Sequence, residues 1–466
     1  QVSSLGGTPK KILDVCDGTV AVSPDGRKIA FLKYESHSKS GIFTSNADGT
    51  DERALASLDG TDWFTEDGPD WSPDGKTIAL AAGVTTNGID AKKLVGIDVQ
   101  TGTVRELSPK RWVDAGRVVW MPDASSLVLT ATERTDELAM QAWRVAYPSG
   151  EASRLTNDVH GLDDTSLGVT ADGRTLLTVT VQRLSRIETV PASGDGGAPV
   201  RLSASEANQD GLYGVTVSRD NRVIFSSFEG GQEDLWVMNL DGSGRRRLTS
   251  DVYADMDPAV SPDGRYIVFR SNRPDGEAIT RLWRMDADGG NVVQLAAKAD
   301  TSPSISPDGR WVIFSAWTSP ENMQSLWKVG IDGGDAVRLT DYPAGQSSYS
   351  PDGQWIGSYF SDEKVSNWGY GILRASGGPT IRKFDFPGFQ YAWVRWTPDG
   401  RHLSHIGAPP DPSNIWLQAS DGGQPRTLTN FKADYIFRHE WSADGKALIL
   451  ARGRPAYDVV LLKDER

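Results

Sequence analysis

The chain has 466 residues, a formal net charge of −13 and a hydrophobic share of 38%, with 49 glycines. An acidic balance without a basic, aromatic-interleaved patch argues against a nucleic-acid or acidic-membrane surface, since either needs a basic field. Cys16 is the only cysteine, which excludes an intramolecular disulfide, and no run of 18 apolar residues occurs.

In chain order, Gly6-Gly7-Thr8-Pro9-Lys10-Lys11-Ile12-Leu13 reads as the outer half of a repeat, because Gly422-Gly423-Gln424-Pro425-Arg426-Thr427-Leu428-Thr429 resembles it closely. Ser23-Pro24-Asp25-Gly26 is then the first of ten related turns. The proline place recurs as Pro24, Pro73, Pro122, Ala171, Arg219, Pro262, Pro307, Pro351, Pro398 and Ala443, spaced by 43 to 49 residues. Proline fixes φ at the second turn position, Asp can bond nearby backbone N–H groups, and Gly takes the positive-φ site. Valine, isoleucine and aromatic residues on either side suit pleated strands.

Each repeat carries a second signature. Leu235-Trp236-Val237-Met238-Asn239-Leu240-Asp241-Gly242 followed by Arg247-Leu248-Thr249 predicts a third strand, a turn and a short fourth strand. Four short antiparallel strands in about 45 residues is the period of a propeller blade. The fold class is therefore all-β, a β-propeller of ten four-stranded blades over residues 1–466. One closed ring is favoured, with two smaller propellers as the alternative. Residues 6–13 are expected to complete the last blade, where Asp458-Val459-Val460-Leu461-Leu462 supplies the third strand.

Tryptophans recurring once per blade, such as Trp71, Trp120, Trp143, Trp236, Trp283, Trp327, Trp396, Trp416 and Trp441, read as packing between blades. Trp63, Trp112, Trp317, Trp368 and Trp393 fall off that pattern. Arg245-Arg246-Arg247 reads as a solvated hairpin.

The Ser-Pro-Asp-Gly-Arg turn, the Leu/Ile-Trp strand and the Arg-Leu-Thr ending resemble the TolB-type propeller repeat across essentially the whole chain. The ending from Trp416 through Asn430-Phe431-Lys432, Trp441-Ser442 and Asp458-Val459-Val460-Leu461 is similar to the C-terminal propellers of membrane-anchored bacterial serine/threonine kinases; winged-helix regulators carry similar propellers. The resemblance implies an extracytoplasmic sensor or docking domain, periplasmic or at the cell surface. It also implies that any membrane attachment lies in a segment preceding this chain.

Catalytic motifs are missing. A kinase needs a Gly-rich loop, a strand lysine and metal-binding loops, and Asp385-Phe386-Pro387-Gly388 mimics only one of these. Gly345-Gln346-Ser347-Ser348-Tyr349 lacks the second glycine of a hydrolase elbow. His402 and His405 point to opposite faces of a strand. Asp286-Ala287-Asp288-Gly289-Gly290-Asn291 lacks the distal glutamate of a calcium loop. Asp163-Asp164 reads as a solvated loop pair. No catalytic residue, metal or cofactor is expected.

The candidate site comes from aligning the innermost strands. Small residues dominate the two rows that face a ring axis, and the large or charged exceptions are Asp70, Arg117, Trp393, Arg395, Arg438 and Glu440. In a ring of ten these fall on one arc, and guanidinium groups beside an aromatic face suit a carboxylate, a phosphate or an acidic peptide end. The competing reading is that Arg and Glu pair along the channel wall. The chain is thus expected to be a monomeric, non-catalytic propeller that binds a protein, peptide or small anionic ligand in or over its channel, with no nucleic acid. The alternatives are an accessory propeller of a peptidase or glycan-active enzyme and a TolB-like envelope scaffold.

Overall fold

The repeated turn sets the local geometry. Ser261 Oγ donates to Asp263 Oδ1 at 2.6 Å and accepts the Tyr266 N–H at 2.9 Å, while Asp263 also accepts the Arg265 N–H at 3.1 Å. Gly264 takes φ 73°, a region that side chains with a Cβ resist. These hydrogen bonds, that from Ser261 first, hold the Asp263 carboxyl below its usual value. The same hydroxyl-to-carboxylate bond forms at Ser23–Asp25, Ser72–Asp74, Thr170–Asp172, Ser218–Asp220, Ser306–Asp308, Ser350–Asp352, Thr397–Asp399 and Ser442–Asp444. Blade three departs: Ala124 occupies the positive-φ place and Asp123 is bonded by Ser125.

The computed structural model describes residues 11–36, 39–86, 89–133, 140–157, 161–193, 197–274, 280–301, 303–318, 323–362, 367–384, 393–407 and 413–463. Among these there is no helix, and the paired strands are antiparallel. Blade six shows the pattern, with Asp255–Val260, Tyr266–Ser271, Arg281–Asp286 and Val293–Ala296 paired in that order. The all-β propeller expected from the repeat is the observed fold class.

The chain divides into two compact units, one of Gln1–Gln182 with Ala456–Arg466 and a second of Arg183–Pro455. In the first, blades one to three and the strand Gly161–Val169 pack in succession. Its cores lie between neighbouring sheets: Trp120 and Trp143 of blade three sit against Ala79, Ala81 and Leu94 of blade two. Trp112, off the repeat pattern, is also fully buried there.

In the second unit the innermost strands are Val215–Val217, Asp255–Val260, Ser304–Ile305, Ala344–Tyr349, Val394–Trp396 and Tyr435–Trp441. Each packs on the next, and Tyr435–Trp441 packs back on Val215–Val217. Six blades therefore close on themselves. That closure sets blade ten against blade five, which the expected ring of ten would hold apart; the second unit follows the smaller-ring alternative.

The reason is legible in two 17-residue strands, Thr175–Pro191 and Ala447–Lys463. Thr175–Pro191 contains no Gly, Asn or Asp, and its only proline is its last residue, so nothing turns the chain back after one blade width. Within the second unit, residues 183–191 take the third place in blade ten's sheet and Val200–Arg201 the fourth. Asp458–Leu462 was expected in that third place; instead it continues its own strand into the first unit, where Thr180 Oγ1 donates to the Asp458 carbonyl at 3.4 Å. Lys11–Leu13 adopt no strand, and residues 6–10 lie outside the described residues, so the expected N-terminal closing strand is not present among the described residues.

Candidate functional site

Local backbone irregularity decides which side chains reach the axis of the second unit. The inner strands of blades six, eight and ten are bulged, with register shifts between Met256 and Ala259, Gly345 and Ser348, and Ile436 and Arg438. A bulge inserts an unpaired residue and re-aims its side chain. The residues displaced this way include Asp257 at φ 52° and Gln346 at φ 47°. Gly214 holds the matching place in blade five at φ 135°, where a Cβ would lie 2.7 Å from the Asp257 Cα and the Pro258 ring. Only glycine lets these two blades approach so closely.

Four of the six residues anticipated from the sequence gather here. The Arg438 guanidinium lies over the Trp393 ring, 4.0 Å from its centroid. Arg395 Nε donates to Glu440 Oε2 at 3.0 Å, and its Nη1 donates to the Val394 carbonyl at 3.1 Å. Glu440 Oε1 in turn accepts the Trp441 N–H. This pair matches the wall-pairing alternative for Arg395 and Glu440. Arg438 has a different environment. Its Nη1 donates to the Phe437 carbonyl at 2.9 Å, its Nη2 stands 4.0 Å from Asp257 Oδ1, and its buried Nε has no hydrogen-bond partner.

The sequence reading gave Asp257 no role, yet it organises this side of the axis. It is 2% exposed and receives Arg270 through Nε at 2.7 Å and Nη2 at 2.5 Å. Burial, with Arg270 and Arg395 nearby, pulls the Arg438 guanidinium down to about 10 despite the opposing pull of Asp257. Glu233 was missed as well. It is fully buried, and burial, then Asp210, Asp234 and Asp257, raises its carboxyl well above the usual value. Burial likewise raises Tyr213, whose carbonyl accepts the Asp257 N–H at 2.7 Å. A row of small residues marks a ring axis in sequence, but a single Asp or Gln within that row gives no sign that its backbone is strained.

The other two anticipated residues lie in the first unit. Asp70 accepts the Trp120 N–H at 2.7 Å; burial raises its carboxyl while that bond and Arg117 oppose the rise. Arg117 donates to Thr19 Oγ1 and to the Asp67 carbonyl. Burial, with Asp164 and Asp114 beside it, raises Asp67 to about 6.

The chemistry available to the remaining polar groups is narrow. Ala344–Tyr349 is a strand rather than a strand-to-helix elbow, and Ser347 is buried within it. Ser404 Oγ lies 2.9 Å from His439 Nε2, but its hydroxyl donates to the Arg395 carbonyl at 3.0 Å and accepts Trp441 Nε1–H at 2.8 Å. The Ser404 hydroxyl is thus shared among three neighbours and fully buried, which leaves it no open approach for a substrate. Burial first, then Arg395 and His405, lowers His439 to about 3. Asp286 to Asn291 forms a hairpin turn, with Asp288 accepting the Gly290 N–H. Among the described residues no group of three His, Cys, Asp or Glu side chains could hold a metal ion. Asp385-Phe386-Pro387-Gly388 lies outside the described residues.

The family model for the TolB beta propeller domain matches residues 218–368. Over 107 residues the chain is 36% identical to the uncharacterized protein Atu1656 of Agrobacterium fabrum, covering 22% of this chain and 36% of that protein. It is 22% identical over 271 residues to the uncharacterized peptidase YuxL of Bacillus subtilis, covering 56% and 32%. It is 41% identical over 58 residues to the Tol-Pal system protein TolB of Alcanivorax borkumensis, covering 12% of each. The chain thus spans between 12% and 36% of the length of these relatives. The family model and the TolB match place TolB-type propeller repeats within part of this chain.

Proposed function

We propose that this chain is a non-catalytic binding propeller, the sensor or docking part of a bacterial signalling protein, working outside the cytoplasm as a monomer. The observation that carries this reading is Arg438, a side chain with 17% exposure, stacked on Trp393 with its nearest carboxylate, Asp257, 4.0 Å away. A cation held against an aromatic face, without a carboxylate at hydrogen-bonding distance, suits an anionic group brought by a small ligand, a peptide or a protein. Arg395 and Glu440 contribute mainly by fixing the wall beside it.

The test is a binding screen of the chain against anionic metabolites and acidic peptides, repeated with Arg395→Ala and Arg438→Ala. A ligand whose affinity drops with Arg438→Ala supports the reading. Indifference of every ligand to both substitutions overturns it. A second reading, the accessory propeller of a larger enzyme, draws on the match to the YuxL peptidase over 56% of the chain. In that case the channel gates substrate for a catalytic domain elsewhere, and the chain alone binds nothing selectively.

A further inference from the structure

One backbone position recurs around the axis of the second unit, three residues before the apolar residue that precedes each turn. Blade five fills it with Gly214, blade six with Asp257, blade eight with Gln346, blade nine with Trp393 and blade ten with Arg438. In blades five, six and eight the position has positive φ. Glycine fits there without strain, whereas a residue bearing a Cβ is held in a sparsely populated region. Asp257 and Gln346 are therefore kept against a conformational cost that Gly214 avoids.

The local bonds account for Asp257, which anchors Arg270. They do not account for Gln346. Its Oε1 accepts the Tyr370 hydroxyl at a long 3.4 Å, its backbone N–H donates to Thr301 Oγ1 at 3.4 Å, and no hydrogen bond involves its side-chain Nε2 among the described residues. The charges are also uneven. Arg270 is matched by Asp257 and Arg395 by Glu440, while Arg438 shares Asp257 only at 4.0 Å. Of these three arginines, Arg438 alone lacks a carboxylate within hydrogen-bonding distance.

Building on the binding role read above, we infer that this row takes a ligand through a single carboxylate group, which Arg438 binds over Trp393, and that Gln346 is a specificity-determining residue of the same site. A monoanion matches the one arginine without a close carboxylate, whereas a dianionic phosphate brings a second negative charge that has no such partner. The planar guanidinium suits the two oxygens of a carboxylate. Such a group comes from a peptide C-terminus or from a sugar acid.

Calorimetric titration of the full chain with N-acetylglycine, glucuronate, inorganic phosphate and neutral N-acetylglycinamide separates these cases. The expected result is binding of one or both carboxylates, none of the amide, and loss of at least ~10-fold in affinity with Arg438→Ala. The tighter carboxylate identifies the source. Gln346→Gly should raise the melting temperature, because it relieves strain, and still weaken the carboxylate by ~3-fold or more. Preference for phosphate, lost with Arg438→Ala, overturns the carboxylate while leaving an anion-binding propeller. Failure of all four probes overturns the carboxylate too, and the wider screen then judges the binding role. Unchanged carboxylate affinity in Gln346→Gly removes that residue from the site.

Discussion

Glu233 shows what a buried side chain costs when its neighbours share its sign. Burial first, then the charges of Asp210, Asp234 and Asp257, raises its carboxyl well above the usual value. A group whose folded value is raised stabilises the fold below its ordinary value of 4.5 and loses that contribution as pH rises towards the folded value. Asp234 and Asp255, each raised to about 6 chiefly by burial, add the same sign. Glu233→Gln should therefore flatten the fall in stability between pH 5 and pH 8, seen as urea midpoints at the two pH values drawing closer together; a steeper fall would refute the assignment. Gly214 provides a second test. A Cβ there meets the Asp257 Cα at 2.7 Å, so Gly214→Ala should cost roughly 2–3 kcal/mol in urea unfolding; a neutral result would mean that blades five and six do not approach so closely. The sequence made Arg438, Trp393, Arg395 and Glu440 legible because they interrupt a row of small residues. It could not show that Arg395 has a close carboxylate and Arg438 only a distant one, because that depends on which carboxylate a bulge turns inward.

At the scale of the element, the turns were legible and the long strands were not. Ser-Pro-Asp-Gly is self-contained, with every bond of its clamp made inside six residues, so local sequence determines it. The course of Thr175–Pro191 depends instead on the absence of a turn and on a partner more than 250 residues away. Inside the second unit two features fix that pairing. Gly453 leaves room for the Leu184 carbonyl, which would lie 1.9 Å from a Cβ. Arg452 donates to Glu188 Oε2 at 2.6 Å, both side chains being 7% exposed, and stacks on Phe431. Glu188 also receives Arg186 Nε at 2.6 Å. Removing one partner of such a buried pair strands the other charge. Glu188→Ala should then cost roughly 3–5 kcal/mol, read by denaturant unfolding, while the double variant Glu188→Ala with Arg452→Met should recover part of that loss. No recovery would place the main contribution of Arg452 in its contact with Phe431.

For the whole molecule, the arrangement of the second unit makes a prediction about independence. Its six sheets are drawn from one continuous stretch, Arg183–Pro455, whereas the first unit needs Ala456–Arg466 to return to it from the far end of the chain. All the neighbour packing that closes the six blades, and the Glu188–Arg452 pair that ties residues 183–191 to residues 447–455, lies inside that stretch. So do Gln346, Trp393, Arg395, Arg438, Asp257 and Glu440. A closed ring leaves no open edge between its blades, which favours cooperative folding without further chain. Residues 183–455 expressed alone should unfold in one urea transition, with the near-ultraviolet tryptophan signal of packed indoles, and should keep the Arg438-dependent response of the full chain to any ligand. A fragment with strand content but no near-ultraviolet signal would show that residues 175–182 and 456–463 are needed to hold the two long strands in register. A folded fragment that has lost the ligand would put part of the binding surface outside the ring of six.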